Sequence, residues 1–101
     1  MRITHALVQL AVALMAAPDD RHWGYELSKQ AGVGPGAMYP RLAKMLEEGW
    51  IEDGWQTTEE ASGHPPRRYY TLTSKGKAEL GALLVKAEQD RRFRSLNLGF
   101  A

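Results

Sequence analysis

Apolar residues recur at helical spacing from the start of the chain. Ile3, Leu7, Leu10 and Leu14 lie three or four apart, which predicts an amphipathic helix over about Thr4–Ala17. Pro18-Asp19-Asp20 ends it, and the Asp20 carboxylate is placed to cap a second helix over about Arg21–Ala31. Trp23, Leu27 and Ala31, four apart, give that helix one buried stripe. Gly32-Val33-Gly34-Pro35-Gly36 then breaks the pattern. It follows a helix and lacks the spacing of a phosphate-cradling glycine loop, so it reads as a turn between helices. A third helix is expected from Gly36 or Ala37, with Pro40 in its first turn, where a missing N–H costs nothing. Gly49 ends it as a C′ glycine. Met38, Leu42, Met45 and Leu46 form its core stripe. Ala37, Pro40, Arg41 and Lys44 lie on another side that combines small residues with cations and has no large apolar group.

The period then changes. Residues 50–56 and 68–73 are rich in aromatic and β-branched residues and predict two strands of a hairpin. Polar residues 57–67, with Gly63, Pro65 and Pro66, form its long exposed tip. Tyr69 and Tyr70 point to opposite faces of their strand, one to the core and one outward. Trp23, Trp50 and Trp55 are expected in the core. Thr73 or Ser74 caps a last helix reaching about Ser95. That helix carries two apolar stripes, Leu80, Leu83, Leu84 and Ala87 on one side and Ala78, Ala82, Val85 and Phe93 roughly opposite. A helix on the rim of a small monomer needs only one, so the second is expected to meet another copy of the chain. Leu80, Leu83, Leu84 and Ala87 are taken as the seam between copies.

Composition narrows the function. The 101 residues form one domain's worth of sequence, without cysteine and with three scattered histidines, so no disulfide, metal site or cofactor is expected. Adjacent acids such as Glu47-Glu48 point apart on regular structure, and no nucleophile–base arrangement suggests a catalytic site. The chain is expected not to be an enzyme. The apolar run Ala6–Ala17 has helical periodicity, an internal Gln9 and too few residues to span a bilayer. A cytoplasmic protein with no membrane partner is therefore expected. Net charge is only +1, but residues 47–60 carry six acids and no base, and residues 63–77 four bases and no acid. Such segregation suits a chain that turns one face to a polyanion.

The order helix, helix, turn, helix, hairpin, helix is that of a mainly α (α+β) fold, the winged helix-turn-helix. In it the third helix enters the major groove of double-stranded DNA and the hairpin tip meets the neighbouring backbone. Residues 1–73 would form the DNA-binding part, 74–95 the dimerisation helix of the same compact unit, and 96–101 a tail. Arg41 and Lys44 can reach phosphates or guanine edges, and Ala37 allows close approach. Arg67 and Arg68 stand where guanidinium forks would meet phosphate.

The sequence resembles the PadR-like family of regulators along nearly its whole length. The carrying segments are Trp23-Gly24-Tyr25-Glu26-Leu27, Gly36-Ala37-Met38-Tyr39-Pro40-Arg41-Leu42, Glu47-Glu48-Gly49-Trp50-Ile51 and the wing Gly63-His64-Pro65-Pro66-Arg67-Arg68-Tyr69-Tyr70-Thr71-Leu72-Thr73 followed by Gly76. The resemblance implies a dimeric repressor on a palindromic operator, relieved by a small aromatic effector, with a single terminal helix as in the short members. It implies DNA contacts by Tyr39, Arg41 and Lys44 on the third helix, with Pro40 and Ala37 packing close, and by His64, Arg67 and Arg68 on the wing. Ala37 replaces a commoner hydroxyl residue, and His64 a commoner arginine. The second change implies a wing that grips DNA less at neutral pH, with some pH dependence. The terminal helix lacks the tryptophan that lines the drug pocket of some relatives. Two other readings stay open: a winged helix that binds protein and no DNA, for which the acidic run is suited, and a ligand sensor built at the dimer seam.

Overall fold

The computed structural model describes residues 1–98. Of the expected tail, residues 99–101 lie outside the described residues. Five helices and three short strands occur in the order α1 (His5–Ala16), β1 (His22–Trp23), α2 (Gly24–Ala31), α3 (Pro35–Glu47), β2 (Ile51–Trp55), α4 (Thr58–Ala61), β3 (Arg68–Leu72) and α5 (Ser74–Glu88), followed by a 3-10 turn over Arg91–Phe93. The fold is mainly helical with one small antiparallel sheet, as the sequence predicts.

Helix α1 is the centre of the core. Thr4 caps it, its hydroxyl accepting from Leu7 N–H at 3.2 Å. Leu7, Val8, Leu10, Ala11 and Leu14 are fully covered. Leu27 and Ala31 of α2, Met38, Leu42 and Met45 of α3, Ile51 and Tyr70 of the sheet, and Leu80, Leu83, Leu84 and Ala87 of α5 join them in one cluster. Burying a leucine or methionine this fully is worth about 1.5–3 kcal/mol.

The last of these groups corrects an expectation. Leu80, Leu83, Leu84 and Ala87 are 0–7% exposed within a single chain, so they have no surface left to give a second copy. The physical reason is size: α5 needs its leucines to close the core over α1. The opposite stripe is the outward one, with Ala78, Ala82 and Val85 exposed. Phe93 does not belong to it; it is buried, because α5 stops at Glu88 rather than near Ser95 and the 3-10 turn folds Phe93 back onto the core. Leu96 and Leu98 also pack against the core.

Three further differences have local causes. Asp20 does not cap α2. It is exposed in the turn after α1, and the helix waits until Gly24 because His22 and Trp23 pair with Tyr70 and Tyr69 as strand β1. Helix α3 starts at Pro35, which as first helical residue has no N–H to satisfy. Pro40 therefore sits in its second turn, and the carbonyl that it cannot bond is that of solvent-exposed Gly36. The hairpin tip contains α4, closed by a capping box in which Thr57 Oγ1 accepts from Glu60 N–H at 3.1 Å and Glu60 accepts from Thr57 N–H at 3.0 Å.

The sheet runs β1-β3-β2. One residue fixes how α5 leaves it. A Cβ on Gly76 would stand 1.8 Å from the Trp50 carbonyl oxygen, so only glycine lets the first turn of α5 pass this close to the β2 entry. Thr73 completes the junction, accepting from Gly76 N–H at 2.9 Å and donating to the Gly49 carbonyl at 2.6 Å.

Candidate nucleic-acid interface

Helices α2 and α3 are joined by three residues. Gly32 adopts φ +69°, and its N–H and that of Val33 close the end of α2 on the Ser28 carbonyl. The Ser28 hydroxyl donates to the Val33 carbonyl and stiffens the turn. Gly34 then caps α3. Tyr39 of α3 lies against the start of α2, where a Cβ on Gly24 would come within 2.4 Å of its hydroxyl.

With Met38, Leu42 and Met45 buried, helical geometry turns Gly36, Pro40, Ala43 and Glu47 outward together, and all four are exposed. Lys44 and Tyr39 border this strip and are also exposed. Before Glu47 at its C-terminal end the face carries only Gly36, Pro40 and Ala43 and is almost bare of side-chain bulk, as close approach to a groove requires. Ala37, expected on it, is instead half-buried against the core, and Ala43 is the small residue that faces out. The same spacing that placed the core stripe could have found Ala43. Lys44 Nζ is 3.8 Å from Glu47 and 3.9 Å from Glu48, loose contacts that leave the ammonium available.

Arg41 stands elsewhere. It is half-buried at the flank of α3, donating to the Ala37 carbonyl at 2.7 Å and to Thr4 Oγ1 at 3.3 Å. The structure thus does not bring it onto the strip with Lys44; its reach to DNA requires leaving both acceptors.

The wing arginines take opposite faces of the hairpin. Arg67 donates to both oxygens of Glu26, at 3.0 and 2.7 Å, and covers the Trp23 ring at 5.0 Å. Arg68 donates twice to Asp53 Oδ2, at 2.9 and 2.6 Å, and lies 5.1 Å above Tyr70. Both side chains are 40–49% exposed. Exposed pairs of this kind are worth about 0–1 kcal/mol, so a phosphate can displace either carboxylate. Tyr70 is the core tyrosine and Tyr69 the half-buried outer one. Burial, reinforced by the neighbouring Tyr39, raises the Tyr70 phenol above its ordinary pKa.

One further cation, Arg21, was not anticipated from the sequence. Arg21 stacks on Tyr69 at 4.1 Å and donates to Glu60 at 2.6 Å, holding α4 against the sheet. The backbone N–H of Thr57, then Arg21, keep the Glu60 carboxyl below its usual pKa. His64 is exposed just beyond α4, its N–H on the Ala61 carbonyl. Trp55, expected in the core, is 62% exposed on the wing; Trp23 and Trp50 are half-buried. Among the described residues no cluster of three potential ligands could hold a metal, and no helix is long and apolar enough to cross a membrane.

A helix-turn-helix with a bare, cation-bordered recognition face and an arginine-bearing hairpin defines a winged-helix DNA-binding domain. A family model described as the transcriptional regulator PadR-like family matches residues 14–82, more than half of the chain. The protein belongs to this family, whose members regulate transcription through DNA and are not enzymes. A solved PadR-like transcriptional regulator from Bacillus cereus is similar, with TM-score 0.62 and 26% identity over 88% of this chain and 94% of that one. A PadR family transcription regulator from hypervirulent Clostridium difficile superposes with TM-score 0.63 and 26% identity, covering 79% and 88%. A PadR-like transcription factor from Bacteroides fragilis shares the fold, with TM-score 0.60 and 24% identity over 82% and 84%. No curated protein matches the sequence.

Proposed function

We propose that the protein is a repressor that binds a palindromic operator as a homodimer. The observation that carries this reading is the exposed strip Gly36, Pro40, Ala43 of α3, bordered by Lys44, in a chain whose hairpin bears exposed Arg67 and Arg68. The strip enters the major groove with Tyr39 and Pro40 packing close. Lys44, Arg67 and Arg68 neutralise phosphates and supply most of the affinity. His64 adds a wing contact. Arg41 swings from Thr4 to a base edge and, with Ala37 beside it, supplies sequence preference.

Two copies would meet through Ala78, Ala82 and Val85 of α5, an exposed stripe of small and apolar residues that the single chain leaves uncovered. Beside it lies a groove of about 200 Å3 between the N-terminal segment (Met1, Ile3), Trp50 and α5 (Ala82, Lys86). Pairing here sets two recognition helices in successive major grooves, about 34 Å apart. A small aromatic effector would relieve repression by entering this groove, where Trp50 offers a ring that the terminal helix lacks. Binding of a labelled duplex from the gene's own upstream region, against random duplex over a salt series, tests the reading. Discrimination supports it, and absence of binding to both duplexes rejects it.

A further inference from the structure

We infer that Trp55 is an uncharged DNA contact of the wing, packing its ring on the sugar edge of the duplex backbone beside the phosphate that Arg68 takes. The inference rests on the DNA-binding reading above and adds to it a residue of different chemistry.

The placement follows from strand register. Ile51 pairs with Leu72, Asp53 with Tyr70 and Trp55 with Arg68. Because alternate residues share a face, Ile51, Asp53, Trp55, Arg68, Tyr70 and Leu72 lie on one side of the hairpin. At its base this side is core: Ile51 and Tyr70 are 2% exposed. Ile51 and Tyr70 pack in one cluster with Met38, Leu42 and Met45 of α3, so the base of this side faces the recognition helix. Toward the tip it runs out past the body, and there it carries Arg68 and Trp55. A duplex seated on α3 would meet the wing at its tip, where this side presents Arg68 and Trp55 while Arg67 flanks it from the other side.

Among the described residues the aromatic pair of the wing lies on its other side. Tyr69 covers Gly54 closely enough that a Cβ there would come within 2.6 Å of its ring, and Trp23 packs edge-on to Tyr69. The wing therefore has rings to bury on its outer side, yet its largest ring is left 62% in solvent on the inner side. An indole covers deoxyribose carbon atoms well and needs no particular base. It releases no counterion when it binds, which separates its signature from that of an arginine.

The test uses the full-length protein with 5-fluorotryptophan incorporated, the Trp55 resonance being assigned from Trp55→Phe. Titration with random duplex at low salt should shift the Trp55 signal and leave the Trp50 signal in place. Trp55→Ala should weaken operator and random duplex alike, roughly tenfold for the area of one half-covered indole, with the slope of log affinity against log salt unchanged. Arg68→Ala, run beside it, should flatten that slope by about one. Since Trp55 is mostly in solvent, the variant should melt as the parent does. If the parent binds DNA and the Trp55 signal stays fixed, or Trp55→Ala binds as tightly as the parent, the inference is wrong while the DNA-binding reading stands. Loss of the dimer in Trp55→Ala would overturn it in favour of a seam residue. If the parent binds no duplex, both readings fall together.

Discussion

Thr4 and Arg41 are joined across 37 residues: the threonine hydroxyl that caps α1 also accepts from the Arg41 guanidinium at 3.3 Å. The one arginine of the recognition helix is thereby tied to the central helix of the core. Hydrogen bonds to a charged donor contribute about 1.5–3 kcal/mol at most, a cost that bidentate bonding to a guanine edge can offset. Arg41→Ala should therefore lower the preference for operator over random duplex by about tenfold while leaving random affinity alone. Equal loss on both duplexes would mean that Arg41 is only a strut between α3 and α1.

The contact of Gly76 with the Trp50 carbonyl predicts a reversal of ordinary helix behaviour. Glycine to alanine inside a helix commonly gains up to about 1 kcal/mol. Here the new methyl would overlap a backbone oxygen that cannot move aside. Gly76→Ala should instead lose about 3 kcal/mol in thermal or denaturant unfolding. A variant as stable as the parent would show that α5 does not pass over the β2 entry this closely.

Acid should loosen the wing before the core. The Thr57 N–H and Arg21 hold the Glu60 carboxyl below its usual pKa. A group whose folded value is lowered adds stability that is complete above its unfolded value and disappears as pH falls through the folded one. Amide resonances of Thr57 and Glu60 should accordingly shift together at a pH below the ordinary glutamate range. Glu60→Gln keeps a capping oxygen but cannot titrate, so its amides should stay fixed. If they move as the parent's do, another acid governs α4.

Val85 is 48% exposed and Leu83, two residues earlier, 7%. Val85→Glu should therefore yield a monomer in sedimentation experiments with a melting temperature close to the parent's, whereas Leu83→Glu should unfold the chain. A Val85→Glu protein that remains dimeric would place the seam on another surface.

Much of this molecule was legible in its sequence. The core stripe of α3, the threonine cap of α5, the Gly49 break and the hairpin all follow from periodicity and capping chemistry, whereas the outward face of α3 was read only in part, with Pro40 placed on it but Ala37 and Arg41 put there in place of Gly36 and Ala43. Strand β1 was not legible, because two residues carry no period; His22 and Trp23 became strand only because β3 passes alongside. The turn α4 was: Thr57 and Glu60 stand at capping-box spacing, yet a stretch with Gly63, Pro65 and Pro66 reads first as loop. The two stripes of α5 were visible, but which one faces inward depends on the space above α1, and that is a tertiary fact. Arg41 shows the same limit. Its position on α3 is readable, while its tie to Thr4 joins residues that no local pattern connects.

The central claim is that α3 and the wing read DNA as a unit. The most direct measurement is fluorescence anisotropy of a labelled upstream duplex against random duplex at several salt concentrations, with the dimer verified in the same buffer. The account predicts tighter binding to the upstream duplex and a steep fall of affinity with salt, reflecting the phosphates met by Lys44, Arg67 and Arg68 of both copies. A confirmed dimer that binds neither duplex at low salt would contradict it.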